Sequence, residues 1–367
     1  MKVLVFVNDD ANLLLIRREL LEAMLKAGHE VVISVPNGPK VAALEALGCR
    51  VILTTMSRRG TNPIKDSKLL LQYIRQVRRE KPNIILSFTI KPNIYGGMAA
   101  RICKVPYIPN VTGIGTAMAN PGLVQKIVLM LYKIALKKTK CVFFQNQVNK
   151  ALFLDRKLIK NEAYAQLIPG SGVNLEKHPY EPYPSAEEGT TFLFIGRIMR
   201  DKGVEELFSA ASMLKKEHPS VRFLLIGAQE EDYEAKIKEL EDEGIIESLG
   251  FCENVHELIA KSHCVVLPSY HEGIANALLE AAACGRPVIA TDVPGCRETF
   301  IDGETGLSCE ARSAESLYSQ LSLFLTFSQE KREQMGRAGR EKIASEFDRQ
   351  IVVNAYLEQI VALAKQK

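Results

Sequence analysis

The sequence predicts an α/β protein built from two doubly wound, Rossmann-like domains that face each other across a cleft. Short apolar runs rich in Val, Ile and Leu alternate with stretches of helical spacing along nearly the whole chain. That alternation means parallel sheets with helices on both faces. The rhythm breaks once, at "PGSGVNLEKHPYEPYPSAEEG" (169–189), which has four prolines, three glycines and no periodicity. It reads as a linker. The chain's 367 residues are enough for a separate core on each side of it. The expected division is a first domain over 1–170, a linker over 171–189 and a second domain over 190–346.

In chain order, "KVLVFV" (2–7) is a first strand, and "NLLLIRRELLEAMLKAG" carries apolar residues at helical spacing after it. "EVVISV", "CRVILT", "PNIILSF", "VPYIPNV" and "KCVFFQ" are further buried strands, with helical stretches between them. After the linker the pattern restarts with "TFLFIG", "VRFLLIG", "HCVVLPS" and "PVIAT". Ligands of such sheets bind beyond the carboxyl ends of the strands. Those ends carry "VNDD", "TTMSRRG", "SFTIKPN" and "NVTGIGT" in the first half. In the second they carry "IGRIMRDKG", "IGAQEED", "LPSYHEG" and "ATDVPG".

Composition narrows the class. Hydrophobic residues make up 47% and charged residues 25%, as in a folded globular protein. The eight cysteines include no C-x-x-C pair and read as reduced thiols of a cytosolic protein. "MKVLVFVNDD" meets two aspartates by residue 10 and reads as a strand, not a signal peptide; no apolar run is long enough to span a membrane. The net charge of +4 conceals an asymmetry. Residues 1–170 carry 26 Lys and Arg against 10 Asp and Glu, a net of +16, and residues 171–367 carry 21 against 33, a net of −12. The halves are therefore expected to meet different partners.

Two second-half motifs carry chemistry. In "IGRIMRDKGV" (195–204), Gly196 ends a strand, and Arg197 and Lys202 sit on a turn before a helix, where a fork and a point charge suit a diphosphate. The same turn alone also fits a solvated basic surface. In "SYHEGIANALLEAAACGRP" (269–287), a helix is expected from near Ile274 to Gly285, with His271 and Gly273 at its entrance. The amides of Ile274, Ala275, Asn276 and Ala277 would then lie in its first turn and form an anion site. Glu272 would repel a phosphate there, so it makes better sense aimed at hydroxyls. Glu280, two turns along, returns to a similar face. It suits the vicinal hydroxyls of a ribose, and equally a buried ion pair.

Taken together, "GRIMRDKGV" and "LPSYHEGIANALLEAAACGRPVIATDVPG" resemble the donor site of the retaining glycosyltransferases of family 4, which have the GT-B fold. The order, spacing and strand–helix context agree across the second half. The resemblance implies that Arg197 and Lys202 contact a donor diphosphate, Glu280 the nucleotide ribose and Glu272 a sugar hydroxyl. It also implies that amides of 274–277 hold phosphate and sugar, and that the backbone of "GFCENVHELI" (250–259), with Phe251, holds the base. A C-terminal helix in "FDRQIVVNAYLEQIVALAK" (about 347–367) would pack back on the first domain.

"SFTIKPNIYGGMAAR" and "VTGIGTAM" resemble the subgroup that extends polyprenyl-diphosphate-linked sugars in capsule, O-antigen and bacterial N-glycan assembly. Many relatives have a glycine-rich loop after strand one, where this chain has Asn8, Asp9 and Asp10. Several have a cleft histidine where it has Val111 and Thr112, beside Gly113. His29 is the one histidine before residue 170 and sits at a helix-to-strand junction on the wrong edge of the sheet. Asp9 or Asp10 could act as acceptor base, although aspartates there also cap helices. Arg58, Arg59 and Lys91 could bind an acceptor diphosphate.

A retaining transfer can proceed on one face of the sugar. The diphosphate leaves, an oxocarbenium-like pair forms, and the leaving phosphate accepts the acceptor's proton. The protein then stabilises charge building on the diphosphate, through Arg197, Lys202 and helix amides. No D-x-D stands at a strand end ("EDE", 241–243, falls in a charged helix), so neither a metal bridge nor any cofactor beyond the UDP-sugar co-substrate is indicated.

"GLVQKIVLMLYKIALKKTK" (122–140) interleaves five lysines with an apolar stripe, which suits an anionic membrane surface or a core helix with a basic outer face. The leading expectation is a cytoplasmic enzyme at the inner face of the membrane that moves an N-acetylhexosamine or hexose from UDP to a lipid-linked saccharide. A soluble transferase with a small acceptor and a non-catalytic nucleotide-sugar-binding protein are the alternatives. Nucleic-acid binding is disfavoured, because the basic regions lack stacking aromatics and a known module.

Overall fold

In the computed structural model, which describes residues 1–56, 62–113, 122–185, 189–252 and 254–365, every strand pairs in parallel. The chain divides into two units, Met1–Ser171 with Gln350–Lys367, and Gly172–Arg349.

The first unit contains β1 (Lys2–Phe6), β2 (Glu30–Val35), β3 (Arg50–Leu53), β4 (Ile84–Phe88), β5 (Tyr107–Val111), β6 (Val142–Phe144) and β7 (Ala165–Leu167). Their order in the sheet is 3-2-1-4-5-6-7. The helices of this unit are α1 (Asp10–Lys26), α2 (Val41–Ala46), α3 (Pro63–Glu80), α4 (Gly97–Cys103), α5 (Leu123–Ala135) and α6 (Gln147–Asp155). Polar residues start them. Asp9 caps α1 by accepting from the Asn12 amide at 2.8 Å, and Asn62 caps α3, with Pro63 in its first turn. Residues of β1 and β4 are buried on both faces, which is why they read as unbroken apolar runs.

The second unit holds β8 (Thr191–Ile195), β9 (Arg222–Ile226), β10 (Glu247–Ser248), β11 (Cys264–Leu267), β12 (Val288–Thr291) and β13 (Gly306–Cys309). Their order is 10-9-8-11-12-13, the same winding as the first sheet. Around them run α7 (Val204–Glu217), α8 (Glu234–Asp242), α9 (His256–Lys261), α10 (Asn276–Ala283), α11 (Ala314–Thr326) and α12 (Gln329–Glu346). In each sheet the strand order reverses direction beside the first strand, between β1 and β4 and between β8 and β11. A doubly wound sheet opens a crevice at that point.

The segment expected as a linker, 171–189, is instead largely part of the second unit. Tyr183 donates to the His263 carbonyl at 2.8 Å, and the fully buried Arg286 donates to the carbonyls of Glu181 and Pro182. Prolines kept this stretch out of any strand or helix, and buried hydrogen bonds fix it in place. The last helix, α13 (Arg349–Ala364), belongs mostly to the first unit. Its Val352, Val353, Tyr356 and Ile360 join a core with Val3, Val5, Leu86 and Phe143, and Asn110 donates to the Tyr356 hydroxyl at 2.7 Å. Tyr356 is fully buried, so its truncation to Ala would cost about 3 kcal/mol or more.

Candidate active site

Three loops leave the carboxyl ends of β8, β11 and β12 around the second sheet's switch point. The first, after β8, begins at Gly196, whose carbonyl lies where a Cβ on Gly227 would stand, so glycine at 227 lets the two strand ends close together. The loop then forms one 3-10 turn over Arg200–Lys202 and ends at Gly203, with φ at +70°. A side chain at Gly203 would overlap the Pro268 carbonyl. Glycine is needed there on both counts, and it lays Lys202 against the loop after β11.

That second loop carries Ser269, Tyr270, His271, Glu272 and Gly273. The Tyr270 amide donates to the Asp201 carbonyl at 2.9 Å, joining the two loops, and the Tyr270 hydroxyl donates to Glu206 Oε1 of α7 at 2.7 Å. Lys202 Nζ pairs with Glu272 Oε1, and Ser269 Oγ donates to the same oxygen at 2.8 Å. Both members of the pair are largely buried, 16% and 14% exposed. Burial works to raise the Glu272 carboxyl, but the Lys202 charge and the hydrogen bonds from Lys202 and Ser269 outweigh it and hold Glu272 below the usual carboxylate range. Burial also lowers His271, with Lys202 adding to the effect against Glu272 and Asp201, so the imidazole is neutral at pH 7.

The third loop, after β12, supplies Gly295 at φ +88°, whose missing side chain makes room for the backbone and Cβ of Glu272. The Gly295 carbonyl accepts the Ala275 amide at 2.8 Å. This corrects the expected anion site. The helix begins at Asn276, not near Ile274; Ala275 is its N-cap, and the Ala275 amide is taken by Gly295. Of the expected amides, those of Asn276 and Ala277 fall in the first turn of α10, beyond the reach of intrahelical acceptors. The buried Asn276 Oδ1 has no hydrogen-bond partner. At its far end α10 stops as expected, at Gly285 with φ +76°.

Glu280 sits in the middle of α10. Burial lifts its carboxyl to about 7, opposed by the charge of Arg349, and among the described residues no hydrogen-bond donor offsets the loss of solvent. A buried acceptor in that condition is stabilised by any ligand that brings hydroxyl donors. Arg197 Nη1 lies 3.1 Å from Glu230 Oε2 in the loop after β9. Phe251 is 69% exposed just past β10, in the loop expected to meet a base; Glu253 of that loop lies outside the described residues.

At the first sheet's strand ends, Asn8 precedes Asp9, which caps α1, and Asp10 accepts the Lys40 amide at 2.6 Å. Asp10 is buried, and a Cβ on Gly38 would collide with its carboxylate. Both aspartates thus hold backbone amides. Lys91, after β4, pairs with Asp66 at 2.8 Å, both side chains largely buried, so it would enter an acceptor site as half of an ion pair. Thr112 and Gly113 directly follow β5. Arg58 and Arg59 lie outside the described residues.

Sequence reasoning passed over four residues at these strand ends. Ser269, Gly295 and Glu230 stood inside stretches quoted above, but their roles depend on contacts between loops. Thr89, after β4, has φ at +73°, rare for a β-branched residue, and its buried Oγ1 lacks a hydrogen-bond partner.

Two parallel Rossmann-like sheets of this winding, one in each unit, are the architecture of the GT-B fold. The chain matches the family model Glycosyl transferases group 1 over residues 180–342 and the model Glycosyl transferase 4-like over residues 2–146. It belongs to this glycosyltransferase family. Among its relatives is the N,N'-diacetylbacillosaminyl-diphospho-undecaprenol alpha-1,3-N-acetylgalactosaminyltransferase of Campylobacter jejuni, 28% identical over 359 residues, covering 93% of each chain. The capsular polysaccharide biosynthesis glycosyltransferase CapM of Staphylococcus aureus is 26% identical over 311 residues, 78% of each. The fold is shared with Anabaena HepE, solved in complex with UDP and glucose, at a TM-score of 0.80, 17% identity and 99% coverage of both chains.

Proposed function

We propose that this glycosyltransferase moves a sugar, an N-acetylhexosamine or a hexose, from a UDP-sugar to a polyprenyl-diphosphate-linked saccharide with retention of configuration. The observation that carries the donor half is the state of Glu280, a carboxyl held at about 7 in the helix that starts beside the Lys202–Glu272 pair. Ribose hydroxyls would supply the donors that Glu280 lacks. The diphosphate would draw Lys202 away from Glu272 and Arg197 away from Glu230, leaving Glu272 to accept from a hydroxyl of the sugar. The amides of Asn276 and Ala277 add a fixed positive end to the same site. As the glycosidic C–O bond breaks, negative charge grows on the diphosphate opposite two cations and the helix start. The departing phosphate oxygen takes the acceptor's proton, so no separate base from the first unit is required. Arg197 and Lys202 supply the charge that a metal bridge would otherwise supply, and turnover is expected without added Mg²⁺ or Mn²⁺. Two relatives support the acceptor half: the C. jejuni enzyme's name specifies a diphospho-undecaprenol acceptor, and CapM's name places it in capsule synthesis.

The membrane half of the reading is supported by α5. Val128, Leu129, Tyr132 and Ala135 face the core, while Leu123, Ile127, Met130 and Ile134 form a second apolar stripe on the outside, flanked by the exposed Lys126, Lys133 and Lys137. Among the described residues no helix is long and apolar enough to cross a membrane. An exposed apolar stripe bordered by lysines suits insertion at the surface of an anionic bilayer. On this reading the enzyme works at the cytoplasmic face of the membrane, where UDP-sugars and lipid-linked acceptors meet.

The test is direct. The protein is incubated with each of a panel of UDP-sugars and a synthetic polyprenyl-diphosphate sugar, and the product is read by mass and by the anomeric proton coupling. An α-linked disaccharide lipid formed from one α-configured UDP-sugar is the expected result. UDP release only to water, or a β-linked product, would overturn the reading.

A further inference from the structure

Behind the donor loops, at the opposite end of α10, three segments converge. Cys284 follows the last turn of α10, His256 opens α9, and His178 lies in the proline-rich stretch packed on the second unit. His256 Nδ1 is 3.1 Å from Cys284 Sγ, and His178 Nδ1 is 4.0 Å from the same sulfur. The ligating atoms of all three residues lie within 4.8 Å of one another, and among the described residues this is the one such His, Cys or carboxylate cluster. On the other side of the His256 ring, Nε2 is 3.3 Å from Glu181 Oε1.

From this arrangement we infer that the second unit binds one zinc ion through Cys284 Sγ, His256 Nδ1 and His178 Nδ1, with a water molecule as fourth ligand and Glu181 orienting His256. Two imidazoles and a thiolate are a zinc set, and tetrahedral zinc with ordinary bond lengths places a sulfur and a nitrogen ligand about 3.6 Å apart. The two observed sulfur–nitrogen separations bracket that value. The Glu181 contact is the second half of the argument. A metal-bound histidine donates its other ring N–H to a carboxylate, which fixes both tautomer and ring plane. His256 already presents one nitrogen to the thiol and the other to a carboxylate.

The frame around the cluster is built without the ion. Arg286, buried in full, donates to the carbonyls of Glu181, Pro182 and Cys284, and Arg340 donates to those of His178 and Ala283. The Tyr180 ring lies where a side chain on Gly285 would stand, which brings residues 178–181 against Cys284. Both arginines donate to main-chain carbonyls and not to the cluster's sulfur or carboxylate. Binding would displace the thiol proton of Cys284 to solvent and join the proline-rich segment, α9 and α10 at one point. The inference does not depend on the donor assignment: of its ligands only His256 falls in the stretch 250–259 expected to hold a base, and that expectation rests on backbone, not on the imidazole.

The test uses the full-length protein, stripped with a chelator and titrated with Co²⁺ as a spectroscopic probe, then with Zn²⁺. The expected result is one equivalent of cobalt with a thiolate charge-transfer band and the strong visible bands of a tetrahedral centre, displaced by zinc. Cys284→Ser should remove the charge-transfer band, His256→Gln and His178→Gln should each weaken binding at least tenfold, and Glu181→Gln about tenfold. Cys103→Ser, at a half-buried cysteine of the first unit, should leave the cobalt spectrum and affinity unchanged. If Cys284→Ser fails to fold by circular dichroism, His178→Gln decides, since that residue stands in the partly exposed proline-rich segment. Absence of a cobalt–thiolate band in the wild type, its persistence in Cys284→Ser, or unchanged affinity in His178→Gln would overturn the inference.

Discussion

Lys202 and Glu272, seventy positions apart, form an ion pair that joins the loop after β8 to the loop after β11 at the point where the second sheet reverses its strand order. Each stabilises the other's charge in a place largely closed to solvent. The pair is thus a store of two oriented charges, opened when a diphosphate competes for the ammonium. It also explains why Glu272 can stand beside a helix start that would bind anions. Its charge is already balanced by Lys202.

Replacing Lys202 by Met leaves Glu272 largely buried without its cation. Loss of one partner of a buried pair is strongly destabilising, and partial exposure moderates it here, so unfolding should become easier by about 2 kcal/mol. Turnover should fall about 100-fold or more, as when one donor to a developing anion is removed. Adding Glu272→Gln should restore most of the stability and none of the activity. Denaturant titration and initial rates on the single and double variants check both halves; parallel recovery of rate and stability would refute the catalytic role of Lys202.

Glu280 gives a pH dependence of opposite sign in the free and bound protein. Its folded value of about 7 lies above the ordinary carboxylate value of 4.5. The native state therefore holds the proton more tightly than the unfolded chain. The resulting stability is complete below pH 4.5 and is lost as pH rises through 7, a change of roughly 3 kcal/mol. A ligand whose hydroxyls donate to the carboxylate lowers that value again, so UDP-sugar affinity should rise about tenfold from pH 6 to pH 8. His271, lowered by burial, is neutral over most of that range. Calorimetry in buffers of different ionisation enthalpy should detect proton release on binding, and Glu280→Gln should flatten both profiles. A flat wild-type profile would remove Glu280 from the donor site.

Most of this frame could be read in the sequence, and the parts that could not share a cause. Strands such as Val3–Phe6 and Val265–Leu267 are buried on both faces, so their composition betrays them. The short strands Ala165–Leu167, Glu247–Ser248 and Gly306–Cys309 went unread because they are two to four residues of small or polar type, defined by a neighbour's hydrogen bonds. The site behaved alike. Arg197, Lys202, Glu272 and Glu280 stood out by type and by position at strand ends or on the helix that follows. That Lys202 meets Glu272, that Arg197 meets Glu230 and that Gly295 takes the Ala275 amide are long-range pairings, which local periodicity does not encode. The expected start of α10 erred by two residues for the same reason: the cap is set by a carbonyl from another loop.

Gly203 offers a test of how the loop geometry serves the site. Alanine there must adopt φ near +70° and press on the Pro268 carbonyl, so the loop must move. The strain and the clash together should cost about 2 kcal/mol of stability. The displaced Lys202 should lower kcat more than it raises KM for the UDP-sugar, because the groups proposed to hold ribose and base, Glu280 and the stretch 250–259, lie on other elements. Thermal melting and steady-state kinetics would show it. A Gly203→Ala protein of normal kcat would mean that Lys202 is placed by its own pair and not by the turn.

The outer stripe of α5 yields the last expectation. Ile127 and Met130 are 44% and 54% exposed, so serine at both positions should leave the fold and its melting temperature unchanged. If the stripe enters the bilayer boundary, the same change removes two inserted side chains. Binding to vesicles rich in phosphatidylglycerol should then weaken by about ten- to a hundredfold. Neutralising Lys133 and Lys137 should reduce binding chiefly at low salt, because charges near an anionic surface act within a Debye length. Activity on a short-chain, water-soluble acceptor should survive both changes, whereas activity on a long-chain acceptor in vesicles should fall with the binding. Cosedimentation and the two assays separate the membrane role of α5 from any role in catalysis. Undiminished vesicle binding by the serine variant would place the membrane contact elsewhere on the basic unit.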